Sequence, residues 1–277
     1  MKNHLNKASV LFLLGFLFLS SHQNILYADD NSNANKLNKL FLKNFKNDFV
    51  GVIASPAGWE KKDFINLSAI LGAGLILYAL DQEIQEWAQN NRTSGSDDFF
   101  GFITHAGDGG VIAAMLAALY ASGEISRNDS LSKTALLSLE SWLTTAVIVS
   151  SMKYVFGRAR PYTGESSHSF HPFSTTSSYF SFPSGHSSAA FAVFTTIAEQ
   201  SKSVYVDVLA YSVASLCALS RVHNNKHWAS DIFIGAVIGH LVAKKICAFD
   251  RARNSKKVSL GFQYTRHTKA ITVNISF

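Results

Sequence analysis

The chain has 277 residues, of which 47% are hydrophobic and 16% charged, with a formal net charge of +6. Charged residues make up about a quarter of an ordinary soluble protein, so this composition favours a membrane-associated chain. The length suits a single sizeable domain with flanking segments rather than two equal domains. Both cysteines, Cys217 and Cys247, lie in apolar stretches, which indicates buried small side chains and not a disulfide framework.

Residues 1–28 have the pattern of an export signal. Lys2 and Lys7 form a basic start, residues 10–19 form an apolar centre, and the stretch 26–28 ends in Ala before two aspartates. The apolar centre is too short to span a bilayer comfortably. We therefore predict a signal peptide that is cleaved, with an uncleaved anchor as the alternative.

Residues 29–63 are predicted to be a linker and a basic helix. The stretch 29–36 is rich in Asn and Asp and favours a flexible lead-in. From 37 to 50, apolar residues recur at helical spacing with lysines between them. Such a helix either lies on an anionic membrane surface or packs on a neighbouring domain with its basic face in solvent, and the sequence leaves both open.

The segment 64–248 predicts an all-α fold, a six-helix up-down bundle. The predicted helices lie at about 64–86, 99–122, 132–155, 185–200, 203–220 and 229–248. Isolated polar residues interrupt these apolar runs. His105 and Asp108 are interpreted as structural or as marking a helix break, and Glu140 and His240 as structural.

The most informative stretch is 220–231, which reads Ser-Arg-Val-His-Asn-Asn-Lys-His-Trp-Ala-Ser-Asp. His227 and Asp231 are four residues apart and share a face if they lie on a helix. The carboxylate can then bind one imidazole nitrogen and leave the other free to attack or to donate a proton. Arg221 offers a planar set of donors suited to phosphate. Taken alone, the pair is equally compatible with a helix-surface hydrogen bond.

Two further motifs support a phosphate site. Lys153 is followed after six residues by Arg160 and Pro161, at the end of the third predicted bundle helix. Pro183-Ser184-Gly185-His186 opens the fourth, where free backbone N–H groups can bind an anion. In an up-down bundle the three motifs fall at one end, so they can converge.

The three motifs, Lys-x6-Arg-Pro, Pro-Ser-Gly-His and Ser-Arg-x5-His-x3-Asp, closely resemble those of the type 2 phosphatidic acid phosphatase and vanadium haloperoxidase superfamily. The resemblance covers about residues 135–247, and the helical outline extends it back to about residue 64. It implies that His227 is a nucleophile forming a phosphohistidine, Asp231 its orienting partner and His186 the acid that protonates the leaving group. The residues implied to bind the phosphoryl oxygens are Lys153, Arg160, Ser184, Gly185 and Arg221.

No metal or cofactor is expected in this scheme, because Lys153, Arg160 and Arg221 supply the positive charge. His223 and His227 are four residues apart but lack the glutamate of a zinc-protease helix. The leading hypothesis is a metal-independent phosphatase acting on a phosphate monoester or pyrophosphate of an envelope lipid. The candidate substrates are phosphatidic acid, phosphatidylglycerol phosphate, undecaprenyl pyrophosphate and lipid A.

Three alternatives remain: a soluble periplasmic acid phosphatase, a vanadium haloperoxidase, and a non-catalytic envelope protein that binds partners or lipid. The expected partners are a phosphorylated lipid and the membrane surface. No nucleic acid is expected, and the sequence leaves the oligomeric state open.

Between the first two motifs, residues 162–182 are rich in Ser and aromatic residues. A long irregular segment beside a site is often a lid, which we predict here, with a flap packed on the bundle as the alternative. After the bundle, residues 249–277 are predicted to be a basic tail followed by strands at 258–264 and 270–277 that form a hairpin.

The charge distribution bears on location. Basic residues are more numerous at the helix ends away from the motifs than beside them, which would place the motifs outside the cytoplasm. A cleaved signal followed by six full crossings would place them inside, so both cannot hold. Because the apolar runs are short, several helices need not cross. We predict an exported, membrane-associated protein whose site faces the periplasm, or a soluble periplasmic one.

Overall fold

A computed structural model describes residues 36–255, 258–265 and 268–275 of the chain. The export signal predicted at 1–28 lies outside these residues. The helices belong to one compact unit and the two C-terminal strands to another, and each is described by itself.

The described part of the chain is mostly α-helical. Its helices are α1 (Lys39–Ala54), α2 (Lys61–Asn90), α3 (Ser94–Ile103), α4 (Gly109–Ser126), α5 (Asp129–Phe156), α6 (Gly185–Gln200), α7 (Val204–His223) and α8 (Ala229–Ser255). Short 3₁₀ helices lie at Ser55–Gly58, Thr104–Gly107, Pro161–Thr163 and Ser177–Tyr179.

Several helices begin where a short polar side chain satisfies the free backbone N–H groups of the first turn. The side chains of Asn38, Thr93, Asp108, Asn128 and Ser184 accept such hydrogen bonds at the starts of α1, α3, α4, α5 and α6. These residues explain why the helices begin where they do.

The prediction of one helix at 99–122 is wrong, because that stretch contains α3, a 3₁₀ turn and α4. Asp108 caps the start of α4, accepting from the N–H groups of Gly110 and Val111. At Gly107 the chain passes so close to α6 that an added Cβ would lie 2.5 Å from the carbonyl oxygen of His186. The break thus brings the 3₁₀ turn against the start of α6. The segment predicted to be a six-helix bundle therefore contains seven α-helices, α2 to α8.

The long helices run alternately up and down, as contacts between their ends show. Gln89 at the end of α2 donates to the carbonyl of His223 at the end of α7. At the other end of the bundle, Lys133 near the start of α5 pairs with Asp250 near the end of α8 at 2.9 Å. All three motifs therefore lie at one end, which we call the site end.

Two glycines allow α6 and α8 to pack with their backbones in contact. A Cβ added at Gly235 would lie 2.6 Å from the carbonyl oxygen of Ser184, and one added at Gly239 would lie 2.2 Å from that of Ser188. Real Cβ atoms do not approach other atoms so closely, so any other residue would force the helices apart.

The basic helix α1 packs on the bundle at the end away from the motifs. Val52 joins a hydrophobic cluster with Leu137, Val242 and Ile246. Asp48 is buried and accepts from Arg253 of α8 at 2.6 Å. Lysines 39, 43 and 46 remain exposed, which is the packed alternative left open by the sequence.

Within the described part of the chain, five helices are long and apolar enough to cross a membrane, namely α2, α4, α5, α7 and α8. Large apolar side chains stay exposed along them, including Leu75, Val147 and Leu209 at 66%, 52% and 64%. Such surface is stable in lipid and unfavourable in water, so the helical unit is suited to a membrane.

In the separate C-terminal unit, β1 (Val258–Thr265) and β2 (Thr268–Ile275) pair antiparallel. The register places Val258 opposite Ile275 and Thr265 opposite Thr268.

Candidate active site

The three motifs meet at the site end. The loop after α5 carries Arg160, the start of α6 carries Ser184, and the turn before α8 carries His227. The backbone N–H of Ser184 donates to the carbonyl oxygen of Asp231 at 3.0 Å, which joins the second motif directly to the third.

His227 and Asp231 face each other inside the protein. Nδ1 of His227 lies 3.6 Å from Oδ2 of Asp231, and both side chains are almost completely buried. Burial lowers the pKa of His227 well below its usual value, although the Asp231 carboxylate opposes this shift. The imidazole is therefore neutral at neutral pH, which is the state a nucleophile needs.

Asp231 is held by three donors in addition to its contact with the histidine. It accepts from Arg158 at 2.7 Å, from the hydroxyl of Ser181 at 2.5 Å and from the backbone N–H of Trp228 at 2.9 Å. A carboxylate with so many donors has one orientation. Asp231 can therefore fix the histidine that faces it.

Arg158 is a candidate functional residue that the sequence motifs do not single out. Its guanidinium is 1% exposed and contacts Asp231, Asp81 and the carbonyl oxygen of Ser167. Burial opposes the charge, but Asp231 and Asp81 together raise the pKa of Arg158. It is a permanent buried cation behind the histidine–aspartate pair.

Asp81, the other carboxylate on Arg158, was also missed. It lies in α2, is completely buried, and accepts from the backbone N–H of Ser230 at 2.8 Å. Asp81 directly follows the apolar run 64–80 and is itself followed by Glu83 and Glu86, so the sequence gives no signal that sets it apart.

The predicted phosphate-binding cations surround the same pocket, each held by a neighbouring oxygen. Lys153 donates to the carbonyl of Phe180 at 2.6 Å, and Arg160 donates to that of Ser177 at 3.1 Å. Arg221 donates to the hydroxyl of Thr104 at 2.7 Å. Its Nε is buried without a hydrogen-bond partner in the described part of the chain, so it retains a donor for an anion.

His186 lies in the first turn of α6, beside these cations. Burial and the nearby charge of Arg221 lower the pKa of His186 to about 4. A bound phosphate would offset that positive charge and make protonation easier.

Ser184 and Gly185 form the beginning of α6. Ser184 is buried, and its hydroxyl caps the helix by accepting from the N–H of Ser187 at 3.4 Å. A Cβ added at Gly185 would lie 3.7 Å from Cε of Lys153. The start of the helix thus lies beside the lysine, where its free N–H groups can bind an anion.

The aromatic segment 162–182 is folded onto the site. The N–H of Arg160 donates to Ser178 and that of Ser181 donates to Arg158. Backbone carbonyl groups of the same segment also accept hydrogen bonds from Lys153 and Arg160. The segment is therefore part of the wall of the site, as expected for a packed flap, and its movement as a lid stays a prediction.

The residues described contain no group of three or more His, Cys, Asp or Glu side chains that could hold a metal ion. His223, the nearest histidine to His227 in the sequence, instead pairs with Asp97 at 2.8 Å.

Comparison with known proteins agrees with this arrangement. A family model described as the PAP2 superfamily matches residues 134–255, which contain all three motifs. The matched residues begin within α5, end with α8 and contain every predicted site residue.

The chain is similar to a lipid A 1-phosphatase of Porphyromonas gingivalis, with 30% identity over 177 residues. The match covers 63% of this chain and 36% of the relative, so the chain spans about a third of that protein's length.

Two solved structures share the fold. One is a transmembrane PAP2-type phosphatidylglycerolphosphate phosphatase of Bacillus subtilis, with a TM-score of 0.54 and 25% identity, covering 67% of this chain and 96% of that one. The other is LpxE of Aquifex aeolicus, with a TM-score of 0.51 and 22% identity, covering 61% of this chain and 95% of that one.

Proposed function

We propose that this protein is a membrane-associated phosphatase that removes phosphate from an envelope lipid through a phosphohistidine intermediate, without a metal ion. One observation carries the proposal: a buried, neutral histidine with a fixed carboxylate lies beside three cations and the start of a helix. Phosphoryl transfer requires positioning and charge stabilisation, and this pocket supplies both.

In the first step, Nε2 of His227 attacks the phosphorus atom. A P–N bond forms and the P–O bond to the lipid breaks. His186 gives its proton to the departing oxygen. Asp231 stabilises the positive charge that develops on the imidazole of His227.

In the second step, water attacks the phosphohistidine. His186, now neutral, takes the proton from that water, the P–N bond breaks and inorganic phosphate leaves. During both steps the phosphoryl oxygens are stabilised by Lys153, Arg160, Arg221, the backbone of Gly185 and the hydroxyl of Ser184. Each preorganised donor of this kind contributes about 3 kcal/mol.

A lipid substrate is supported by the exposed apolar surface of the helices and by the names of the relatives. Lipid A 1-phosphate is the first candidate, because the similar protein of Porphyromonas gingivalis acts there by name. Phosphatidylglycerol phosphate is the second, because it is the named substrate of the Bacillus subtilis structure. We propose that the site faces the periplasmic side of the membrane, as the charge distribution predicts.

The test is phosphate release by the purified full chain from lipid A, phosphatidylglycerol phosphate, phosphatidic acid, undecaprenyl pyrophosphate and a soluble aryl phosphate. His227→Ala should release none. The matched control is His240→Gln, which changes a histidine farther along α8, near Thr195, and should keep activity.

Release from one lipid that is lost in His227→Ala would support the proposal and name the substrate. Release from the aryl phosphate alone would instead indicate a soluble acid phosphatase. Strong inhibition by a chelator would contradict the metal-independent scheme, and halide oxidation on adding vanadate would indicate a haloperoxidase.

A further inference from the structure

We infer that Asp81 is a positioning residue for the nucleophile, acting through Arg158 and Asp231. The inference rests on the proposed function and adds a residue from α2, outside the three motifs and outside the matched residues 134–255. Asp81 does not touch the substrate pocket; it contacts the groups behind it.

The guanidinium of Arg158 bridges two carboxylates with its two terminal nitrogens. One nitrogen donates to Oδ1 of Asp231 and the other to Oδ2 of Asp81, each at 2.7 Å. All three side chains are at most 1% exposed. In such a dry environment the two contacts are much stronger than surface ion pairs and fix the guanidinium plane.

Asp81 also holds the start of α8 directly. It accepts from the backbone N–H of Ser230 at 2.8 Å and from the Ser230 hydroxyl. Ser230 immediately precedes Asp231, so Asp81 positions the catalytic carboxylate from two sides, through the guanidinium and through the backbone.

The charge balance gives this arrangement a role in the reaction. Two carboxylates facing one guanidinium leave a net negative charge beside His227. Without Asp81, Arg158 would neutralise Asp231 as an isolated pair, and the imidazole would lose the negative charge that stabilises it when it carries the phosphoryl group. Asp81 should therefore affect turnover more than substrate binding.

A purely structural role is the competing explanation, since a buried ion pair also holds α2, α8 and the loop after α5 together. The chain offers a matched control at the far end of α8, where Asp48 pairs with Arg253 at 2.6 Å. Asp48→Asn removes a buried carboxylate from an arginine pair without touching the site.

The first experiment compares Asp81→Asn and Asp48→Asn in full-length protein, on the lipid that the wild type hydrolyses. For Asp81→Asn we expect kcat to fall by at least about tenfold with KM changed by less than about twofold, because the phosphate-binding cations are untouched. For Asp48→Asn we expect both constants to stay within about twofold of wild type, even where the unfolding temperature falls equally.

The second experiment is a double-mutant cycle with Asp231→Asn. If Asp81 acts through Asp231, then Asp81→Asn should lower kcat much less in the Asp231→Asn background than in the wild type. Effects that multiply independently would overturn the inference, as would an unchanged kcat in Asp81→Asn.

Ser230→Ala provides a milder variant should Asp81→Asn fail to fold. It removes one hydrogen bond to Asp81 and one from Arg158, so we expect kcat to fall by about threefold and this loss to vanish in the Asp231→Asn background. A loss that persists there would overturn the inference. A wild type without phosphatase activity would instead contradict the proposed function.

Discussion

The two ends of α8 bury the same kind of ion pair in different ways. Asp231 in the first turn pairs with Arg158, and Arg253 near the end pairs with Asp48. At 1.5 Å per residue, the two pairs are about 33 Å apart along the helix. One lies behind the candidate nucleophile, and the other fastens α1 to the bundle.

The pairs differ in how completely they are enclosed. Arg158 is 1% exposed and contacts two carboxylates, a hydroxyl and a carbonyl group, whereas the side chain of Arg253 is 33% exposed. A buried charge that loses its partner is costly, while a partly hydrated one falls back on water. The site end is therefore rigid and intolerant of change, and the far end is more tolerant.

The far end has its own buried carboxyl group. Glu140 of α5 is 1% exposed. It has no part in the proposed reaction, which makes Glu140→Gln a reference for substitutions of buried acids at the site end.

The largest effect should come from the nucleophile. We expect His227→Ala to lower turnover by at least about 10³-fold and to abolish the acid-labile phosphoenzyme, since no other group can form the P–N bond. Rapid acid quench with a radiolabelled substrate measures both. A phosphoenzyme that survives in this variant would assign the nucleophile to a different residue.

The next largest effect should come from removing the buried arginine. We expect Arg158→Met to destabilise the fold by about 3–5 kcal/mol, because it leaves Asp81 and Asp231 without their cation, and to lower activity by at least about 100-fold. Arg253→Met leaves only one buried carboxylate, Asp48, without its cation, so it should cost less, about 1–3 kcal/mol, and keep activity within about twofold. Denaturation in detergent with parallel assays measures both, and equal losses in the two variants would remove the contrast between the ends.

An intermediate effect is expected for the acid. His186→Ala should slow an alkyl phosphate by about 10²–10⁴-fold and an aryl phosphate much less, because the poorer leaving group needs the proton. Steady-state kinetics on the two esters measures the difference. Equal losses on both would contradict the assignment of His186 as the acid.

The same residue predicts a pH dependence. With the pKa of His186 lowered to about 4, acidification from pH 8 to 5 should raise kcat/KM on the alkyl ester, because more of the acid form is present. Burial holds the pKa of His227 well below its usual value, which favours the neutral nucleophile as the pH falls. A wild-type profile that falls on acidification would contradict this prediction.

The smallest effect is expected at the far end. Glu140→Gln should change stability by about 1 kcal/mol or less and leave turnover unchanged, because the amide keeps the size of the side chain and its ability to form hydrogen bonds. Thermal unfolding and the lipid assay measure the two quantities. A loss of turnover here would connect the far end to the reaction.

The sequence could predict the parts of this molecule that depend on local pattern. The ends of α5, α6 and α8 follow from apolar runs and capping residues, and the motif residues fall at those ends. Their convergence at one end followed from simple up-down topology. The chemical roles of these residues stay predictions until they are measured.

What the sequence could not predict depends on contacts between distant segments. Asp81 and Ser230 come together only when α2 packs beside α8. The hydroxyl of Thr104 accepts a hydrogen bond from Arg221 only because the helix is interrupted before Asp108. The hydropathy pattern continues through that interruption and does not reveal it. Likewise, the carbonyl groups that hold Lys153 and Arg160 belong to a segment with no regular periodicity.

The glycine contacts between α6 and α8 also limit the route of the substrate. Since Gly235 and Gly239 leave no space for even one methyl group between the two backbones, an acyl chain cannot pass through that side of the helical unit. A lipid whose phosphate reaches His227 must therefore keep its tails on a different flank. The contact between α6 and α8 that holds the candidate catalytic groups together also limits the direction from which a lipid can approach.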